Sequence, residues 1–223
     1  MKKMNLKKLC AVAAGVITIG ITSMNAQETE STAEAKITSD AGMDLYSSYV
    51  WRGTKFGTGA ALQPWVEFAS GGLSFGSWGS VNTGADEAME MDLYIGYSFD
   101  FGLSLTFTDY YFGGNWMDFE TVHCLEPSIG FETGSFSVLG AYMFGDETED
   151  VYVELGYSFD LFDVALGAGN GAYTTSGDFG ICNFTVSKEK EIKISDSFSL
   201  PLSGAVTLNP YNEAFYVYVG ISL

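Results

Sequence analysis

Met89-Glu90-Met91-Asp92-Leu93-Tyr94-Ile95-Gly96-Tyr97-Ser98-Phe99-Asp100-Phe101 sorts its residues by twos. Met89, Met91, Leu93, Ile95, Tyr97, Phe99 and Phe101 share one parity. Glu90, Asp92, Tyr94, Gly96, Ser98 and Asp100 share the other. A helix would scatter both sets around its circumference, whereas a strand places them on opposite faces. The same sorting recurs along the chain. Leu103, Leu105 and Phe107 oppose Ser104, Thr106 and Thr108; Val151, Val153, Leu155, Tyr157 and Phe159 oppose Tyr152, Glu154, Gly156, Ser158 and Asp160. Phe215, Val217, Val219, Ile221 and Leu223 oppose Tyr216, Tyr218, Gly220 and Ser222. Period-two alternation on this scale predicts an all-β protein.

Alternation predicts about twelve strands, at 38–52, 60–70, 72–82, 88–101, 103–113, 120–133, 134–144, 150–160, 162–170, 178–189, 196–208 and 213–223. Ser70-Gly71-Gly72, Asp100-Phe101-Gly102 and Glu132-Thr133-Gly134 read as tight turns, and 83–88, 113–119 and 145–150 as longer polar links. An internal repeat supports growth by hairpin duplication. Gly96-Tyr97-Ser98-Phe99-Asp100 recurs unchanged at 156–160, and Leu62-Gln63-Pro64 is echoed by Leu125-Glu126-Pro127.

Sandwiches alternate as well. Three features favour a transmembrane antiparallel up-and-down β-barrel. Apolar residues keep one parity in strand after strand. Tyr97/Phe99 and Tyr157/Phe159 place aromatics just before tight turns, where an interfacial girdle belongs. The chain closes on an alternating, aromatic-bearing strand resembling an outer-membrane assembly signal, although Leu223 stands where an aromatic is usual. An even number of strands with short turns alternating with longer loops suits a bacterial barrel.

The remainder of the 223-residue chain agrees. Lys2, Lys3, Lys7 and Lys8 precede an apolar run from Leu9 to Thr22, and Met24-Asn25-Ala26 ends on a small residue. Residues 1–26 therefore read as a cleaved export signal, too short in its apolar run for a membrane helix. Residues 27–36 read as a polar tail, and 37–223 as the barrel. Loss of the four leader lysines takes the ten Lys+Arg to six, against 28 Asp+Glu, a net charge of −22. Six basic residues against 28 acids leave no basic patch to neutralise phosphates, so nucleic acid is not expected as a partner. The expected location is the bacterial outer membrane. Expected partners are its lipid and lipopolysaccharide, the barrel-assembly machinery during insertion, and small solutes.

The blocks Asp44-Leu45-Tyr46-Ser47-Ser48-Tyr49-Val50-Trp51-Arg52-Gly53, Gly76-Ser77-Trp78-Gly79-Ser80-Val81-Asn82 and Glu90-Met91-Asp92-Leu93-Tyr94-Ile95-Gly96-Tyr97 resemble, in this order, the TorF family of porin-like outer-membrane proteins, also called Gcw-chp. The resemblance spans roughly residues 44–112 and implies a barrel and a pore. It brings no catalytic residue and no cofactor.

The polar parity predicts the lining of the bore. Glu67, Glu90, Asp92, Glu126, Glu132 and Glu154 fall on it, and acids along a confined water path favour cations. Arg52, at the end of the first expected strand, is the candidate counter-charge, as partner of these acids or as part of a constriction. Tyr46, Tyr94, Tyr110, Tyr152, Tyr216 and Tyr218 share the parity and would hold a solute or fill a narrow bore. Acids at Asp86-Glu87, Asp118/Glu120 and 146–150 read as a solvated face. His123, the only histidine, reads as a surface or interface residue near the rim without a serine partner, and no catalytic or metal-binding motif is found. Cys124 is expected to face the bore and Cys182 the lipid, so a bond between them is not expected. Two readings follow: a passive pore for small polar or cationic solutes, or a structural or surface-interaction barrel with a plugged bore.

Overall fold

The computed structural model describes residues 36–84, 89–145, 148–196 and 198–223. The export signal, most of the polar tail, Asp86-Glu87 and Asp146-Glu147 lie outside them.

Twelve strands close into one antiparallel barrel: β1 (Thr38–Tyr46), β4 (Ala61–Ser70), β5 (Leu73–Asn82), β6 (Met89–Ser98), β7 (Leu103–Tyr111), β8 (His123–Thr133), β9 (Phe136–Gly145), β10 (Thr148–Ser158), β11 (Asp163–Gly169), β12 (Gly180–Lys193), β13 (Ser199–Asn209) and β14 (Ala214–Ser222). Each pairs with its sequence neighbour. β1 closes the ring by pairing with β4 on one side and β14 on the other. Two short strands, β2 (Tyr49–Trp51) and β3 (Thr54–Phe56), form a separate hairpin. Connections at one end are tight, as at 71–72 and 134–135, and both ends of the barrel chain lie there. The opposite, loop end carries 47–60, 112–122 and 170–179.

The sorting by parity is the physical basis of this fold. Leu93, Ile95, Phe107, Ile129, Val153, Leu155, Val217 and Val219 all remain exposed on the outer wall. Water would expel such a surface, and hydrocarbon would accept it. The opposite parity turns inward: Tyr94, Tyr110, Tyr152, Thr207 and Tyr218 are buried in the bore. Glycines on this parity make room for the bore-facing rings. A Cβ at Gly76 would strike the hydroxyl of Tyr94, one at Gly167 that of Tyr152, and one at Gly220 the ring of Tyr46. At the tight-turn end, Tyr97–Phe99 (4.8 Å between centroids), Phe99–Phe101 (5.4 Å), Tyr157–Phe159 (4.7 Å) and Phe159–Phe162 (4.9 Å) form exposed aromatic runs.

Four sequence expectations are corrected. The first strand ends at Tyr46, not at 52, and the chain beyond it folds into the bore. β9 and β10 reach Gly145 and Thr148, so the expected 145–150 link shrinks to two residues and Asp150 is a buried strand residue. β12 runs to Lys193, past the expected 189. Finally, the register of β11 on β12 shifts between Gly167 and Ala168, so that Gly167 pairs with Asn183 and Ala168 with Ile181. This bulge inserts Cys182 as an extra residue and resets the parity. Ile181 and Phe184 face outward, while Cys182 and Asn183 are both buried. Cys182 therefore faces the bore, as Cys124 does, and the two are not joined.

Candidate functional site: the bore and the hairpin inside it

The hairpin β2–β3 grows from the loop end of β1. Trp51 pairs with Thr54, leaving Arg52-Gly53 as a two-residue turn with φ of 48° and 81°. Positive φ at both positions is the type I′ geometry that matches strand twist in the tightest hairpins. Glycine takes it without penalty, whereas for Arg52 the left-handed region costs about 1–2 kcal/mol. Gly53 is also required by space, because a Cβ there would overlap the carbonyl of Cys182.

The hairpin is folded inward. Tyr49, Val50, Trp51 and Arg52 are 3–9% exposed, so alternation is lost over these four residues: all sides meet wall. Tyr49 packs on Trp78 of β5 (5.5 Å between centroids) and donates to Oε1 of Glu90 on β6 (3.3 Å). Trp51 packs on Tyr110 of β7 (5.6 Å) and on Tyr173 of the 170–179 loop (5.7 Å). Val50 packs with Ala205 of β13 and Tyr218 of β14, against which Tyr46 and Tyr216 also lean. Nδ2 of Asn209 donates to the carbonyl of Gly53 (3.2 Å). Contacts with β5, β6, β7, β13 and β14 seat the hairpin in the loop-end half of the bore.

Arg52 fixes its tip. Nη1 donates to Oε2 of Glu126 on β8 (2.5 Å) and Nη2 to Oε1 (2.8 Å), a two-pronged pair of buried groups. Nη1 also donates to the Tyr173 hydroxyl (2.7 Å), and Tyr110 donates to Oε1 of Glu126 (3.1 Å). The guanidinium lies 4.4 Å from the Trp51 ring centre and 4.5 Å from that of Tyr152, within cation–π range. Its Nε is buried without a partner. Burial pushes the Tyr173 hydroxyl above its usual range, so it stays neutral beside the arginine. Arg52 thus has the counter-charge role expected of it, from a hairpin tip rather than from the rim of a wall strand.

The other bore residues fall into two levels. Near the hairpin, Tyr152 donates to Oε2 of Glu154 (2.5 Å) and Nδ2 of Asn183 donates to the same oxygen (2.9 Å). The network continues through Thr185, Thr207 and the Tyr218 hydroxyl. Glu90 and Asp92 are buried beside Tyr49, and neither oxygen of Asp92 has a partner. Toward the tight-turn end the lining is smaller: Ser74, Gly76, Gly96, Ser104, Gly130, Ser137, Gly156, Ser203 and Gly220. Glu67 is half-buried there and accepts from the Tyr94 hydroxyl (3.3 Å), while Glu132 is exposed at the mouth.

His123 is covered rather than open at the surface. It sits on the outer wall at the loop end, 1% exposed, beneath residues 112–122. Nδ1 lies 2.7 Å from Oδ1 of Asp109 and Nε2 lies 3.0 Å from the carbonyl oxygen of Trp116, with the Phe119 ring stacked at 4.3 Å. Both ring nitrogens face acceptors. The pair ties the loop down and leaves neither nitrogen to serve a nucleophile.

Sequence reasoning missed Tyr173, Asn183 and Asn209, the first in a loop and the second behind the bulge. Asn209 follows the expected end of its strand by one residue. No family model, no curated protein and no solved structure matches this chain.

Proposed function

We propose that the chain is a bacterial outer-membrane barrel whose bore is closed at its loop end by its own first loop, and that solutes pass only when hairpin β2–β3 withdraws. The observation that carries the closure is the burial of Tyr49, Val50, Trp51 and Arg52 within the ring of strands. The observation that supports the membrane is the exposed apolar wall, since a closed barrel satisfies every strand edge and can sit in hydrocarbon. Its lipid contacts, its dependence on assembly machinery and its contact with lipopolysaccharide belong to this reading, as does the absence of catalysis. The resemblance of residues 44–53, 76–82 and 90–97 to the TorF family points the same way.

The geometry favours the plugged reading over an open diffusion pore at rest. A pore for small polar or cationic solutes remains as the hairpin-out state. Its support is the Gly/Ser-lined half of the bore with Glu67 and Glu132 toward the mouth, which gives water and cations a polar path up to the plug. The test is heat-modifiable migration of the refolded mature protein together with swelling of liposomes that contain it. A folded, detergent-resistant band and no swelling in small sugars are expected. Rapid swelling by the unmodified protein would overturn the closure, and failure to insert would overturn the membrane assignment.

A further inference from the structure

The buried half of the bore carries more negative than positive charge. Glu90 (8% exposed), Asp92 (0%) and Glu126 (3%) surround the hairpin, and Arg52 is the one buried cation among the described residues. Arg52 is spent on Glu126, which it grips with both prongs. Glu90 and Asp92 sit two residues apart on β6 and project into the bore together. Glu90 receives a single long hydrogen bond from Tyr49 (3.3 Å), and both Asp92 oxygens are buried with no partner at all. The register places Trp78 and Tyr110 on either side of Asp92, so aromatic walls flank it. Glu90 and Glu126 both lie within electrostatic reach of it. A carboxylate shut away from water without donors is one of the costliest groups a protein can bury.

We propose that Glu90 and Asp92 form a binding site for a small hard divalent cation of the Ca²⁺ class, seated between the wall of the bore and Tyr49 of the hairpin. One such ion neutralises Glu90 and Asp92, neither of which Arg52 bonds. The chemistry of the donors fits: two carboxylates offer up to four oxygens and the Tyr49 hydroxyl a fifth, against roughly six to eight taken by Ca²⁺. No third His, Cys, Asp or Glu forms a metal-holding group with them among the described residues, so the rest of the shell is water that enters the bore with the ion. Because Tyr49 belongs to the hairpin and Asp92 to the wall, the ion also fastens the plug. Site and plug remain separable, since the carboxylates belong to β6 whether or not the hairpin is in place.

The experiment uses Tb³⁺ as a luminescent substitute for Ca²⁺ on the refolded mature protein. Trp78 and Tyr110 beside Asp92 are placed to sensitise it. Saturable emission on aromatic excitation is expected, displaced by Ca²⁺, lost in Asp92→Asn, weakened in Glu90→Gln and kept in the double variant Asp118→Asn/Glu120→Gln, whose acids are on an exposed loop. Ca²⁺ should also raise the melting temperature of the unaltered protein but not that of Asp92→Asn. Emission that survives both Asp92→Asn and Glu90→Gln would overturn the site. So would a melting temperature indifferent to Ca²⁺ but raised by acid, which would mean that a proton neutralises the pair. If Asp92→Asn fails to refold, Glu90→Gln decides by the same readouts.

Discussion

Replacing Arg52 by alanine removes the one charge that fixes the plug. The substitution deletes two charge-assisted bonds to Glu126 (2.5 and 2.8 Å), one to Tyr173 (2.7 Å) and the stacking on Trp51 and Tyr152. Glu126 would keep only the hydroxyl of Tyr110. Breaking a buried ion pair from one side costs about 3–5 kcal/mol, because the remaining charge stays buried. The cost falls on the seating of the hairpin and not on the barrel, whose closure uses backbone bonds between wall strands. At about 1.4 kcal/mol per factor of ten, the ratio of seated to withdrawn hairpin should fall between roughly a hundredfold and a few thousandfold. Lys55, on the hairpin, offers the assay: trypsin should cut there rapidly in Arg52→Ala and slowly in the unaltered protein, with the barrel core intact in both. A double variant, Arg52→Met with Glu126→Leu, removes both charges and should restore slow cutting, since apolar replacement of a whole buried pair is often neutral. Equal cutting rates in Arg52→Ala and the unaltered protein would mean that Arg52 does not hold the hairpin, and so would a double variant as labile as the single one.

Four further outcomes are expected. Leu93→Arg or Val153→Arg puts a charge on the exposed apolar wall and should lower barrel stability by about 2–4 kcal/mol at mid-depth, read as loss of the folded band after refolding into liposomes; normal insertion of both would contradict the assignment of the outer face. Gly53→Ala should unseat the hairpin, because its Cβ would overlap the Cys182 carbonyl at φ of 81°; trypsin cutting at Lys55 measures it, and a rate like that of the unaltered protein argues against the tip geometry. His123→Ala should free residues 112–122 from the outer wall, read as faster cleavage by a protease of broad specificity, with the hairpin unaffected. Glu67→Gln, in a chain lacking the hairpin, should lower cation preference, and an unchanged reversal potential would remove this residue from the selectivity argument.

The wall of the barrel was legible because each strand carries its own address. Alternation in 89–98 states which side chains meet the bore, and the exposure of Leu93 against the burial of Asp92 confirms it residue by residue. The same rule turns Tyr94, Tyr110, Tyr152, Tyr216, Tyr218, Glu126 and Glu154 into the barrel, where they are found. It failed wherever a residue's surroundings come from distant chain. Residues 44–52 carry no glycine or proline to mark a break, so they read as one strand with what precedes them. What stops β1 at Tyr46 is the hairpin's contact with wall strands from β5 to β14, none of it local. A local hint did exist: Arg52-Gly53 is a two-residue turn between short arms, with glycine at a position that requires positive φ. The bulge at Cys182 is a relation between two strands, and Ile181-Cys182-Asn183 carries no mark of it. His123 lost its surface reading because the cover comes from Trp116 and Phe119, in a loop without periodicity.

Single-channel conductance in a planar bilayer, comparing the unaltered chain with one in which residues 47–60 are cut out, decides whether the hairpin closes the bore. Tyr46 and Ala61 are register partners across β1 and β4, so a Gly/Ser turn of about four residues can join them without disturbing the wall. Silence is expected from the inserted, unaltered protein, and discrete, cation-preferring steps from the chain without its hairpin. Steady conductance in the unaltered protein, or silence in both, would contradict it.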